Sequence, residues 1–221
     1  MYKRQSIDSS AYYHPTTWVS LADYGYVGQI YNGAAINQET GVLQFDGTNE
    51  FAYLPANYLL DLPILTVEAW FAPETLFERG YIVEKGFRNQ QYGLLLELSP
   101  RKDDTFLTWR ANIDGYVKDM VKARSSKYLN LGWNHVAVTY TPGAQVMYIN
   151  GQFAGANNVV GNMASPPAGI TIAASGSVSA KIPDRTYYFA GKIGIVRVYG
   201  RVLDVIEIEK NFNRERIRFG L

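Results

Sequence analysis

The residues from 132 to 153 constrain the fold more than any other stretch of the sequence. Val136 and Val138 alternate with more polar neighbours, which is the period-2 pattern of a strand that buries one face. A second apolar run covers residues 146–149, and the pair Asn150-Gly151 follows it directly. An Asn-Gly pair favours a type I′ turn, because both central residues of that turn need a positive φ. This stretch therefore predicts antiparallel strands joined by a tight hairpin.

Short alternating segments recur along the whole chain, and turn residues separate them at the spacing typical of β-sandwiches. The chain has 221 residues, of which 47% are hydrophobic, so it is long enough to bury the core of one large domain. We predict an all-β fold: a two-sheet antiparallel sandwich. The predicted core includes the following alternating residues: Trp70, Val136, Val138, Ile149 and Val196.

One short helix is expected near the carboxyl terminus. Asp204 and Glu207 have the spacing of a capping box, in which each side chain bonds the other residue's main-chain N–H. Leu203, Ile206 and Phe212 follow a spacing that would turn them towards the sheet. We interpret this segment as a structural element that packs on the sandwich.

The charge of the chain is nearly balanced, with 21 basic and 20 acidic side chains. Such a balance gives no electrostatic attraction to nucleic acid or to a membrane surface, and no apolar run has the length of a membrane span. The first ten residues also lack the apolar stretch of a secretory signal peptide. We therefore expect neither nucleic acid nor membrane as a partner.

No constellation of catalytic residues is visible in the sequence. A glycosidase needs two carboxylates across the scissile bond, whereas Glu68, Glu84 and Glu97 lie on three separate segments, and we interpret them as a solvated face. The two histidines are His14 and His135. His135 lies within the alternating strand and is interpreted as structural. The chain is accordingly expected not to be an enzyme.

Six segments, in the same order along the chain, resemble motifs of laminin-G-like domains of the concanavalin A-like superfamily. Among them are Leu43-Gln-Phe-Asp-Gly, Leu65-Thr-Val-Glu-Ala-Trp-Phe, Trp133-Asn-His-Val-Ala-Val-Thr-Tyr and Gly191-Lys-Ile-Gly-Ile-Val-Arg-Val-Tyr. The resemblance implies a jelly roll over residues 18–221, preceded by an amino-terminal arm, residues 1–17. It also implies a binding domain, since most of these relatives bind ligands.

The last eleven residues, Asn211 to Leu221, resemble the close of single-domain members that are common among bacteriophage structural proteins. This resemblance implies a virion structural protein, which decorates a capsid or belongs to a fibre and adheres weakly to glycans. The alternative is a glycan-binding lectin module of a bacterial surface or secreted protein. The two hypotheses place the chain in the virion and outside the cell, respectively.

Many members of this family hold a calcium ion with loop oxygens, and Asp46 and Glu50 stand at matching positions. However, Gly194-Ile195 replaces the acidic pair that relatives carry near the carboxyl terminus. Calcium takes six to eight oxygen ligands, so the loss of donors weakens the case for an ion. We favour the interpretation that Asp46 caps the turn beside Gly47, and we expect no cofactor.

Two groups of side chains are candidates for binding a partner protein. Tyr12 and Tyr13 lie in the amino-terminal arm, and tyrosine combines apolar area with a hydroxyl group. Arg214, Arg216 and Arg218 alternate with other residues and would form a basic stripe if this segment were a strand. These residues predict self-association or binding to a capsid or fibre protein.

Overall fold

The computed structural model describes residues 6–7, 17–19, 27–37, 39–56, 61–86, 94–102, 104–164, 168–176 and 186–221. Over these residues the chain forms two antiparallel sheets of eight strands each, which pack face to face. The predicted two-sheet antiparallel sandwich is confirmed.

The first sheet is here named sheet I. In spatial order its strands are β14 (Gln152–Asn157), β13 (Ala144–Ile149), β12 (Asn134–Thr141), β7 (Leu65–Pro73), β16 (Ala190–Tyr199), β5 (Leu43–Asp46) and β4 (Ala35–Ile36). The two-residue strand β1 (Ser6–Ile7) also pairs with β16. Part of the predicted amino-terminal arm therefore lies along sheet I.

The second sheet is named sheet II. Its strands are β11 (Tyr116–Arg124), β10 (Thr105–Ile113), β9 (Leu94–Pro100), β8 (Gly80–Lys85), β15 (Ile170–Ile172), β6 (Phe51–Leu54), β3 (Val27–Tyr31) and β2 (Thr17–Val19). A four-residue helix, α1 (Ser125–Tyr128), follows β11.

The hairpin predicted at Asn150-Gly151 is present. The two residues have φ angles of 51° and 75°, and they join β13 to β14. The side chain of Asn150 also accepts a hydrogen bond of 2.8 Å from the main-chain nitrogen of His135. The sequence pair therefore fixes both the turn and its contact with β12.

Four of the five predicted core residues lie between the two sheets. Trp70 is fully buried as well, but in a separate cluster on the outer face of sheet I. Trp70 alternates with Val67 and Ala69, so it points away from the main core. The C-terminal residues cover it there.

The predicted helix, α2 (Val205–Glu215), has the full capping box of Asp204 and Glu207. The expectation that Ile206 faces the sheet is wrong: its side chain is 71% exposed, and Ile208 is buried instead. With 3.6 residues per turn, Ile206 points to the opposite side from Ile208. A 3-10 helix, Arg216–Phe219, extends α2. No helix of the described residues is long and apolar enough to cross a membrane.

Candidate functional site

A cavity of about 430 Å³ opens on the outer face of sheet I, between β4, β5 and the C-terminal 3-10 helix. This volume falls within the range of ligand sites, about 300 to 1,000 Å³. One half of the lining is apolar and the other half is polar. The residues are Ala35, Ile36, Val42, Trp133 and Phe219, and then Asn37, Thr40, Gln44, Lys192 and Arg218.

Strand pairing places two of the polar side chains next to each other. Gln44 of β5 is the register partner of Lys192 of β16, and its partner on the other side is Ala35 of β4. Leu43 is buried in the main core, so Gln44 points outwards by alternation. Within the described part of the chain, the side chains of Gln44 and Lys192 form no hydrogen bond or ion pair. Both are therefore available to a ligand.

Two aromatic rings form the apolar wall of the cavity. The ring centroids of Trp133 and Phe219 lie 4.5 Å apart, and Phe219 in turn stacks on Trp70 at 4.4 Å. Gly194 lies beneath these rings: a Cβ at this position would stand 2.6 Å from Phe219 Cε1 and 3.3 Å from Trp133 Cη2. The missing side chain of Gly194 thus allows the wall to approach the sheet.

Buried polar contacts hold the C-terminal helix against sheet I. Glu215, the last residue of α2, forms an ion pair with Arg197 of β16 at 2.8 Å and accepts a hydrogen bond of 2.8 Å from Trp70 Nε1. Burial acts to raise the pKa of Glu215, but the hydrogen bonds and charge of Arg197 outweigh it and hold the pKa below its ordinary value. These contacts place Arg218 and Phe219 at the cavity.

A second buried carboxylate lies under the same helix. Glu68 accepts hydrogen bonds from the hydroxyl of Tyr199 at 2.8 Å and from the amide of Asn211 at 3.0 and 3.1 Å, and His135 Nε2 lies 3.5 Å away. Burial acts to raise the pKa of Glu68, but these partners, His135 foremost, lower it overall. His135 is fully buried in this cluster.

The interpretation of Glu68, Glu84 and Glu97 as a solvated face is wrong, because all three are at most 1% exposed. Alternation shows only that a side chain leaves the main core, and further chain covers the outer faces of both sheets here. Glu97 Oε1 lies 2.5 Å from Arg110 Nη1, and burial raises the pKa of Glu97. Glu84 accepts a hydrogen bond from the main chain of Gly176. None of these carboxylates meets solvent.

The carboxylates of Asp46 and Glu50, the candidate calcium ligands, accept hydrogen bonds from main-chain nitrogens of their own turn. Asp46 Oδ1 accepts a hydrogen bond of 2.7 Å from the nitrogen of Thr48, and Glu50 Oε2 accepts one of 2.7 Å from the nitrogen of Asp46. Gly47 between them has a φ of 74°. Among the described residues, no three acidic, histidine or cysteine side chains cluster as metal ligands would. Asp46 thus caps the turn, and the expected absence of a bound calcium ion stays a prediction.

The predicted basic stripe on a strand is wrong, because its three arginines are helical. Arg214 lies in the last turn of α2, and Arg216 and Arg218 belong to the 3-10 helix, where alternate residues point in different directions. No helix-breaking residue occurs before Gly220, which has a φ of 76°. Arg214 pairs with Glu215 at 2.9 Å, whereas Arg218 lines the cavity.

Some predicted partner residues cannot be placed in the fold. Tyr12 and Tyr13 lie outside the described residues. Their role in self-association or partner binding stays a prediction.

The sequence did not single out the cavity. Trp133, Lys192 and Phe219 lie far apart in the chain, and each belonged to a segment that was interpreted as part of the fold. Trp133 gave a local signal, because it directly precedes a predicted strand. An aromatic ring at such a position lies near the end of the sheet. The partners of that ring follow only from strand order and from the path of α2.

This sandwich, with a mixed aromatic and polar cavity on one sheet, belongs to the class of concanavalin A-like jelly rolls. A family model of laminin-G-like domains, described as the concanavalin A-like lectin/glucanases superfamily, matches residues 46–209. The chain belongs to this superfamily, as its sequence motifs indicated. No curated protein matches its sequence significantly.

Solved structures with the same fold include binding domains of botulinum neurotoxins. The binding domain of neurotoxin DC in complex with rat synaptotagmin II has a TM-score of 0.70 at 16% identity, over 96% of this chain and 51% of that one. A structure of neurotoxin type C, whose cell entry depends on interaction with two ganglioside molecules, has the same TM-score at 14% identity, over 96% of this chain and 51% of that one. A third, neurotoxin DC in complex with SialylT, has a TM-score of 0.68 at 15% identity, over 96% and 51%. The chain spans about half the length of these structures.

Proposed function

We propose that this chain is a carbohydrate-binding module without enzymatic activity, and that the cavity on sheet I is its glycan site. The observation that carries this proposal is the position of the Trp133 ring beside the unengaged side chains of Gln44 and Lys192. A sugar presents an apolar C–H face, which packs on an aromatic ring, and hydroxyl groups, which need hydrogen-bonding partners. Two neighbours with this fold support the same ligand class: one is a complex with SialylT, and the other belongs to a neurotoxin whose cell entry depends on gangliosides.

The burial of the acidic side chains supports a binding role rather than hydrolysis. A glycosidase must bring two carboxyl groups to the bond that it cleaves. Glu68, Glu84 and Glu97 are each sealed from solvent within contacts to their own chain. A binding module of this kind acts outside the cell. The family match and the binding domains among the structural neighbours favour the lectin hypothesis over the virion hypothesis, which stays a prediction.

A glycan array on the purified protein, followed by calorimetric titration of the best ligand, tests the proposal. We expect Trp133→Ala to weaken binding by at least about tenfold, because the sugar loses its stacking surface. Phe153→Ala is the matched control, since Phe153 is 60% exposed and lies at the far edge of sheet I. Circular dichroism checks that both variants fold.

Two results would overturn this proposal. One is the absence of any glycan ligand, or equal binding by Trp133→Ala and by the wild-type protein. The other is hydrolysis of an array ligand that disappears in Glu97→Gln, which would show that a buried carboxylate acts in catalysis.

A further inference from the structure

If the proposed glycan site is accepted, the positive charge of the cavity indicates which kind of saccharide it binds. Lys192 and Arg218 line the cavity, and none of the lining residues carries a carboxylate. The chain as a whole has 21 basic and 20 acidic side chains, so this excess is a property of the cavity and not of the protein. A neutral sugar would leave both cations without a counter-charge.

Lys192 lines the cavity, and within the described residues no acidic side chain pairs with its ammonium group. Lys192 is also exposed on β16. The neighbouring Gln44 has an amide that donates and accepts hydrogen bonds. This pair therefore offers one positive charge and one neutral hydrogen-bonding group.

Arg218 is held in place by contacts that leave part of its guanidinium free. One nitrogen donates a hydrogen bond to the carbonyl oxygen of Thr40, and the guanidinium carbon lies 5.5 Å from the ring centroid of Phe219. The guanidinium group has five N–H donors, so others remain for a ligand. Its planar fork matches the oxygens of a carboxylate or a related oxyanion.

We infer that the cavity on sheet I selects an anionic saccharide. The sugar ring packs on Trp133, and its acidic group faces Lys192 and Arg218. The shared chemistry is an oxyanion on a sugar, carried either by a carboxylate, as in sialic acid, or by a sulfate ester. This inference rests on the proposed function, but it makes a separate claim about charge.

Three matched ligands test the inference: lactose, 3′-sialyllactose and lactose 3′-sulfate. We expect calorimetry in low salt to show that at least one acidic ligand binds on the order of tenfold more tightly than lactose. The preference should shrink as salt is added, because exposed charges are screened. The comparison of the two acidic ligands shows which oxyanion the site takes.

Lys192→Gln is the main variant, since it removes a charge from an exposed strand position and leaves the helix contacts intact. It should lose most of the acidic preference while still binding lactose. Arg218→Gln should do the same, with a melting experiment to check that the contact with Thr40 is not required for folding. Lys210→Gln is the matched control, because Lys210 is exposed on α2 and is not part of the cavity.

The outcomes separate the two claims. Equal binding of lactose and both acidic ligands would overturn the charge preference and leave the glycan site standing. A preference for acidic ligands that survives in Lys192→Gln and in Arg218→Gln would also overturn the inference. Other residues would then bind the acidic group of the ligand. Absence of binding to every saccharide on an array would overturn the proposed function itself.

Discussion

The side chains of Arg197 and Glu215 form a two-point ion pair, with Nη2 2.8 Å from Oε1 and Nη1 3.0 Å from Oε2. Arg197 lies in the middle of sheet I, and Glu215 ends the C-terminal helix. Phe219, four residues after Glu215, forms part of the cavity wall. The ion pair therefore links the stability of the helix to the shape of the candidate site.

Replacement of Glu215 by alanine should strongly destabilise the protein. It would break a buried ion pair and leave the Arg197 guanidinium with only the more distant Glu68, at 3.8 Å, as a counter-charge. Removal of one partner of a buried pair typically costs about 3 to 5 kcal/mol. Urea denaturation measures the free energy of unfolding directly. Glu209→Ala is the control, because Glu209 is exposed on the same helix. Similar losses in the two variants would contradict a special role for the ion pair.

Stability should also fall at acidic pH through the same carboxylate. The pKa of Glu215 is lower in the folded protein than in the unfolded chain, where it lies near 4.3. This contribution is complete above the unfolded pKa, and it is lost as the pH falls through the folded one. Thermal melts from neutral pH to about pH 3 should show a loss that is smaller in Glu215→Gln. Parallel pH profiles would exclude Glu215 as the cause.

Two buried glutamates on opposite sheets should respond to neutralisation with opposite signs. The pKa of Glu68 is lowered, so its charged form stabilises the fold at pH 7, and Glu68→Gln should cost about 1 to 3 kcal/mol. The pKa of Glu97 is raised by burial, so its charged form is disfavoured. Glu97→Gln should therefore leave stability unchanged or increase it at neutral pH, while Arg110 keeps its contact with Asp119 at 2.5 Å. Denaturation of both variants at pH 7 tests the pair, and equal losses would refute it.

The strands could be predicted from the sequence because the alternation of side chains along a strand depends only on neighbouring residues. In β7, Val67 and Ala69 point into the main core, whereas Glu68 and Trp70 point to the outer face, as strand alternation requires. Alternation did not show that the outer face of sheet I is buried as well. The cover comes from α2, which lies more than 130 residues further along the chain, so no local period reports it.

Contacts between distant segments also explain the wrong predictions at the carboxyl terminus and the failure to predict the cavity. Arg214, Arg216 and Arg218 alternate as they would in a strand, but a capped helix with no breaker continues through them. Lys192 and Arg218 meet only because strand order brings β16 beside the end of that helix. Contacts of this kind depend on the tertiary structure, which the spacing of residues does not encode.

Calcium should have no effect on stability if Asp46 and Glu50 serve only their turn. An ion that binds the folded state raises its stability in proportion to RT ln(1 + [L]/Kd). We therefore expect equal melting temperatures in millimolar calcium and in EDTA. A rise in calcium that disappears in Asp46→Asn would establish the metal site instead.

A methyl group at position 194 should disturb both the fold and the site. In the present structure a Cβ on Gly194 would stand 2.6 Å from Phe219 Cε1, so the Phe219 ring must move away from sheet I. Overpacking of this kind typically costs about 1 to 3 kcal/mol, and the displaced ring would also deform the cavity. Gly194→Ala should thus lower the melting temperature and weaken glycan binding together. Gly200→Ala is the control, because a Cβ there meets only the flexible side chain of Leu62, at 3.2 Å. A Gly194→Ala variant with wild-type stability and affinity would show that Phe219 does not need its close contact with the sheet.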